Sequence, residues 1–307
     1  MPKTFTTADA TRKYLDNKTV GKASRLELRA RLIVEGYISG RHRSPYHGFS
    51  VEFAQHREYA PGDDLKHLDW KVYGRADRYY IKEYEEETNL RCNILLDTSE
   101  SMNYSSGRNM TKLEYGCYIA ATLAYMLLHQ QDSVGLTLFD NSLKKRIPAS
   151  ANPSQLRTIL YELCQITPEK KTDMNLIFHD LAERIAKRGL VVLISDLFDD
   201  PQNILAGLQH FRHKRHEVMV FHILDDAEIQ FPFRDMTKFI GLENWPELVV
   251  DPRSLRKGYL EEYENFSSTM KKGCLNTRID YVQMNTSMPL DVALTAYLAN
   301  RANTRSK

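Results

Sequence analysis

From Leu90 onward the apolar residues fall into short, nearly continuous runs separated by longer stretches of helical period. The runs are Cys92 with Ile94, Leu95 and Leu96, then SVGLTLF at Ser133–Phe139, LVVLI at Leu190–Ile194, Glu217–Leu224 and Ile279–Met284. Runs of this length with little alternation predict strands buried on both faces, as in a parallel sheet covered by helices. Between them lie Lys112–Gln130, with a wide apolar face that includes Leu113, Ile119, Leu123 and Leu127, and then Pro153–Cys164, Met174–Arg188, Pro201–Lys214, Ser254–Lys272 and Leu290–Asn300. Their spacing predicts amphipathic helices. Lys144–Pro148 predicts a short antiparallel strand at the sheet edge, and Lys238–Leu242 with Glu247–Val250 an edge hairpin. Strands alternating with helices predict an α/β domain over residues 89–307, a doubly wound, mostly parallel sheet flanked by helices.

The first 88 residues read differently and predict an N-terminal helical and β-rich appendage. Helical periodicity is visible around Thr7 to Leu15 and again over Ala23–Gly36. From Gly36 to Lys82 glycine, proline and serine break every period, leaving short strands near Ser50–Phe53 and Arg78–Tyr84. The stretch GRHRSPYHGFSVEFAQHREYAPGDDLKHLDW is too polar to be held by apolar burial alone. Arg57, Asp63, Asp64, Asp69 and Arg75 are therefore expected to form internal ion pairs.

Composition narrows the setting. A chain of 307 residues, 42% of them apolar, is long enough for one large core with an appendage. The N-terminal MPKTFTTADATRKYL lacks the apolar centre of a signal peptide and no run is long enough to cross a bilayer, so the expected location is cytoplasmic. Cys92, Cys117, Cys164 and Cys274 are far apart and form no CxxC pair, which points to reduced core thiols. A net charge of +2 argues against a nucleic-acid binder, although Lys22–Arg43 is locally basic and EYEEE at Glu83–Glu87 is acidic.

The candidate chemistry sits at the strand ends, where ligands gather in open α/β sheets. In LRCNILLDTSESM the apolar run stops at Asp97, and Asp97, Ser99 and Ser101 alternate across the turn that follows. One carboxylate and two hydroxyls suit a hard cation such as magnesium, manganese or calcium, with water completing the shell. The same residue types also make ordinary turns and helix N-caps. Asp196 ends the Leu190–Ile194 run and Asp225 the next. Thr172, in the polar loop KKTDMN, offers either a further hydroxyl or the cap of the following helix.

These pieces resemble a known pattern. Asp97-Thr98-Ser99-Glu100-Ser101, then Thr172, then Asp196 matches the DxSxS, threonine and aspartate elements of the metal-ion-dependent adhesion site of von Willebrand factor type A domains. The resemblance implies a magnesium ion (or manganese or calcium) held by Asp97, Ser99, Ser101, Thr172 and Asp196, with one position left for an acidic group of a partner protein. The preceding segment resembles the bacterial domain of unknown function 58 family. Arg57, Tyr59, Pro61, Gly62, Asp63, Asp64, Asp69, Trp70 and Arg75 stand at that family's RxYxPGDDxRxIDW-type positions, with Lys66 in place of the usual arginine. That family implies a non-enzymatic, metal-dependent interaction module, an adaptor or co-chaperone for a MoxR-type AAA+ ATPase.

Two other readings compete. A magnesium-dependent hydrolase or phosphotransferase would use the Asp97, Ser99 and Ser101 site, but the sequence offers neither a histidine at motif spacing nor a GxSxG elbow around Ser99. His210, His213 and His216 in HFRHKRH have the spacing of a zinc site, yet Arg212, Lys214 and Arg215 oppose a cation there and a basic helix C-terminus is expected instead. Trp70 and Trp245 read as packing residues.

Overall fold

A computed structural model describes residues 17–39, 52–58, 72–73, 79–85, 90–107, 110–167, 174–241 and 247–290. In chain order the elements are α1 (Asn17–Ser39), β1 (Glu52–Glu58), β2 (Tyr80–Glu85), β3 (Arg91–Asp97), a 3₁₀ turn (Glu100–Asn103), α2 (Lys112–His129), β4 (Ser133–Phe139) and β5 (Leu143–Ser150). There follow α3 (Gln155–Cys164), α4 (Met174–Arg184), β6 (Leu190–Ser195), α5 (Pro201–His213), β7 (Glu217–Leu224), α6 (Asp226–Gln230), β8 (Thr237–Phe239), β9 (Leu248–Val250), α7 (Pro252–Asn276) and β10 (Asp280–Asn285).

Six strands form the central sheet in the order β10-β7-β6-β3-β4-β5. All neighbours are parallel except β4 and β5, which pair antiparallel at one edge. The chain leaves β3 toward β4 and β5, then crosses to the other side of β3 for β6. The strand order therefore reverses between β3 and β6, and the crevice beyond their carboxyl ends is the natural ligand position of such a sheet. Asp97 and Asp196 are the residues the chain delivers there.

Burial follows the strand period of two. Ile94 and Leu96 of β3 face a core built with α1, α2 and α3, whereas Leu95 faces the opposite layer of α4, α5 and α7. Leu26, Ala30 and Val34 lie on one face of α1 at helical spacing and are buried in the first core, so this N-terminal helix completes a layer of the α/β sandwich. Gly116 brings α2 down onto the sheet: an added Cβ would lie 3.1–3.2 Å from Leu96, Ile194 and Ile223. This close approach sets the start of α2 beside the β3–β6 crevice.

The forecast helices and strands are present with shifted ends. α4 stops at Arg184, short of Arg188, because the chain must enter β6 through Gly189, where any Cβ would meet the carbonyl oxygen of Arg91. The edge hairpin forms, but as a separate antiparallel pair of β8 and β9. Aromatic packing holds it away from the main sheet: Phe231 stands 5.2 Å from Phe233, 5.9 Å from Phe239 and 4.8 Å from Tyr259 of α7, between ring centroids. Short helix α6 has no counterpart in the hydrophobic pattern. Asp225 starts it with a capping box, its side chain accepting from Ala227 N while Glu228 accepts from Asp225 N. The first predicted helix, most of the Gly40–Arg75 segment and most of the Leu290–Asn300 helix lie outside the described residues. The two strands forecast within the N-terminal region appear as β1 and β2, paired antiparallel. Among the described residues, no helix is long and apolar enough to cross a membrane.

Candidate metal centre

Asp97 ends β3 with its side chain fully buried. Its two oxygens are held from opposite sides. Oδ1 accepts from the backbone N–H of Ser99 at 2.9 Å, and Oδ2 accepts from Ser195 Oγ, at the end of β6, at 2.6 Å. Thr98 braces the turn by donating both its N–H and its hydroxyl to the Phe139 carbonyl. The chain then enters the 3₁₀ turn, which folds Ser101 back so that Ser99 Oγ and Ser101 Oγ stand 3.0 Å apart. The alternation read from the sequence thus becomes one carboxylate with two hydroxyls at a single point of the sheet edge.

Asp196 follows β6 and is 6% exposed. The next residue, Leu197, is buried with a left-handed φ of 53°. Its N–H donates to Ser195 Oγ at 2.9 Å. A β-turn-like reversal of this kind costs a non-glycine residue of order 1 kcal/mol, and it persists because Ser195 ties both sides of the turn together. The two oxygens of Asp196 have different fates. Oδ2 accepts from the Lys112 ammonium at 2.7 Å, and Oδ1 is buried with no hydrogen-bond partner among the described residues.

Lys112 is the first residue of α2 and only 2% exposed. Its ammonium also donates to Glu228 Oε1 at 2.7 Å, joining the strand-end aspartate to α6. Burial draws the Lys112 pKa down, but Asp196 and Glu228 outweigh it and hold the group above the ordinary lysine range. The sequence reading missed both Lys112 and Glu228. A signal was present: a lysine at the positive end of a helix dipole, inside an apolar pattern, needs carboxylates nearby to be tolerated.

Electrostatics in the crevice favour an added cation. Burial and then the charge of Asp196 push the Asp97 carboxyl up to about 7, against the hydrogen bonds from Ser195 and Ser99. Behind Asp196, His222 is held neutral: burial lowers it to about 4. Its Nε2 lies 3.0 Å from the Asp196 carbonyl, which only accepts, so Nε2 carries the proton and Nδ1 accepts from the Tyr281 hydroxyl at 2.6 Å.

Of the residues expected to hold the metal, Asp97, Ser99, Ser101 and Asp196 converge and Thr172 lies outside the described residues. Asp225, the third acidic strand end, is spent elsewhere. Its oxygens accept from Ala227 N, from Ser106 N and Oγ, and from Thr286 Oγ1. The four converging side chains fit a hard divalent cation. All donors are oxygen, each carboxylate oxygen retains acceptor capacity, and the orphaned Asp196 Oδ1 is a buried acceptor that lacks a partner. The histidines of HFRHKRH do not form a site. His216 packs inward with Nε2 against the Ile185 carbonyl, and Arg212 closes the end of α5 by donating to the His216 carbonyl. Among the described residues there is no group of three or more His, Cys, Asp or Glu side chains arranged to hold a metal ion.

Next to the centre the surface is apolar. A groove of about 840 Å³ runs from Ser101 and Lys112 past Phe231, Phe239, Leu248 and Leu255. Phe198, Ile240 and Leu248 are 52–62% exposed along it. A second hollow of about 490 Å³ lies against Asp196, His222, Tyr259 and Phe266.

A family model described as "Protein of unknown function DUF58" matches residues 55–268. Uncharacterized protein Rv1480 of Mycobacterium tuberculosis is 24% identical over 220 residues, covering 71% of this chain and 68% of that protein. Among solved structures, the conserved hypothetical protein BatB from Bacteroides thetaiotaomicron superposes with a TM-score of 0.43 at 14% identity, over 69% of this chain and 98% of its own. The vWF domain of the type V pili tip protein Mfa5 from Porphyromonas gingivalis superposes with a TM-score of 0.35 at 11% identity, over 71% of this chain and 96% of its own. The fold is the expected doubly wound, mostly parallel sheet flanked by helices, and the chain's own strand order carries that assignment.

Proposed function

The chain belongs to the DUF58 family, and we propose that it is a non-catalytic protein-interaction module whose binding depends on a divalent cation, magnesium first, at Asp97, Ser99, Ser101 and Asp196, with Thr172 completing the set. The observation that carries this reading is Asp196 Oδ1, buried without a hydrogen-bond partner among the described residues and within electrostatic reach of the Asp97 carboxylate. Held there, a divalent cation supplies Lewis acidity and an open position for a carboxylate from outside.

The chain's own residues do the rest. Ser195 fixes Asp97 and the turn after β6, so the two carboxylates keep their spacing. The 3₁₀ turn presents Ser99 and Ser101 together at the sheet edge. The apolar groove that opens at Ser101 gives a docking partner surface to bury beside its carboxylate. A hydrolytic reading gains no histidine base from the residues beside Asp196. His222, next to Asp196, has both ring nitrogens engaged and a depressed pKa, which removes it from proton transfer to Ser99. The partner we propose is a MoxR-type AAA+ ATPase, on the strength of the family resemblance, with this chain acting in the cytoplasm as its adaptor or co-chaperone.

Manganese titration of the intact chain, followed by electron paramagnetic resonance, tests the centre. About one ion per chain is expected, with binding lost in Asp97→Ala while circular dichroism stays unchanged. Equal binding by wild type and variant, or none by either, would remove the cation from the proposal. Association with the ATPase, measured with manganese and again with a chelator, is expected only with the metal present.

A further inference from the structure

Lys112 places a positive charge where the proposed cation would also act. Its ammonium is 2.7 Å from Asp196 Oδ2 and 2.7 Å from Glu228 Oε1, with 2% of the side chain exposed. It is therefore not a surface lysine swept into a crevice but a built part of the centre. It is tethered by α2, whose position on the sheet is fixed through Gly116.

We infer that Lys112 is an internal counter-cation that competes electrostatically with the bound metal and so sets the centre's affinity for it. This rests on the cation site proposed above. Without a metal, the ammonium offsets one of the two negative charges of buried Asp196 and half-buried Glu228, so the folded chain tolerates the pair. With one, Asp196 serves both charges through its two oxygens, Oδ2 to the ammonium and the orphaned Oδ1 to the ion. Two cations on one carboxylate repel each other, and the burial of Lys112 and Asp196 reduces the solvent screening between them. The consequence is a centre that folds empty, binds its cation weakly by itself and binds it more tightly when a further negative group joins it, which is the property a partner's carboxylate would exploit. Glu228 extends the effect: it anchors the ammonium and caps α6, whose Phe231 end lines the apolar groove, so the charge state of the centre and the wall of the groove share one side chain.

The test compares Mn2+ affinity and thermal unfolding in wild type, Lys112→Met and Lys112→Met/Glu228→Gln. The double variant removes one charge of each sign, so it keeps the local balance if the single variant fails to fold. The expected result is Mn2+ binding at least tenfold tighter in Lys112→Met than in wild type, and tighter by a smaller factor in the double variant, which frees Asp196 of the ammonium but also loses the Glu228 charge, with a larger metal-induced rise in Tm in both. Unchanged or weaker Mn2+ binding in folded variants would overturn the counter-cation role alone and make Lys112 a positioning residue for Asp196. No Mn2+ binding in any of the three proteins would overturn the cation site and this inference with it.

Discussion

Ser195 does more than any other single side chain to fix the centre's geometry. Its hydroxyl donates to Asp97 Oδ2 and accepts from Leu197 N, linking the ends of two adjacent strands with one buried oxygen. Ser195→Ala would leave a carboxylate oxygen and a backbone N–H without that partner. A loss of about 1–3 kcal/mol is expected, read as a lowered urea midpoint at unchanged slope. Replacing Leu197 by glycine offers an opposing comparison. It removes the cost of a left-handed leucine, of order 1 kcal/mol, but also a side chain that is 1% exposed in the core, worth about 2–5 kcal/mol. Leu197→Gly is therefore expected to destabilise, and a gain in Tm would show that the strain dominates. The sequence disclosed Asp97, Ser99, Ser101 and Asp196 because polar residues at the end of an apolar run are a local signal. Ser195, the first polar residue after the Leu190–Ile194 run, carries the same signal, but nothing local shows that its hydroxyl ties Asp97 on the neighbouring strand.

At the scale of elements, the connection from α2 to β4 carries a titratable tie. Asp132 is 2% exposed and its Oδ1 accepts from Leu90 N at 2.9 Å, holding the entry of β3 against the entry of β4. Burial raises its pKa from 3.8 to about 6, and the Leu90 N–H only partly offsets that. The folded chain thus holds this proton more tightly than the unfolded one. The stabilisation is complete below about pH 4 and is lost as pH rises through about 6. Asn at this position can accept the same hydrogen bond without ionising. Asp132→Asn is expected to match wild type in urea unfolding at pH 4 and to exceed it by about 1–3 kcal/mol at pH 7. A constant difference at both values would mean that Asp132 keeps one charge state throughout. Elements were legible where a period repeats over many residues, as in α2 and β6. They were misjudged where ends are set by neighbours: Gly189 against Arg91 cuts α4 short, and aromatic packing on Tyr259 takes β8 and β9 off the sheet edge.

For the molecule as a whole, α1 is the element whose role depends most on context. Its sequence shows an apolar stripe, but only the packed structure shows that Leu26, Ala30 and Val34 close the layer over α2 and α3. Leu26→Ala is expected to lower the stability of the entire chain by about 2–4 kcal/mol in one cooperative transition. A separate early transition, leaving the sheet's unfolding unmoved, would show that α1 folds independently of it. The sequence by itself determined the alternation of strands and helices, the doubly wound class, and the strand-end oxygens that make a cation plausible. Each of those is written in a few consecutive residues, through periodicity or through an abrupt change from apolar to polar. Only the tertiary structure decided that Lys112 reaches Asp196, 84 positions away, and Glu228, 116 positions away, and that one oxygen of Asp196 has no partner among the described residues. Such pairings follow from strand order and from how closely α2 lies on the sheet, and no local pattern encodes a distance between elements.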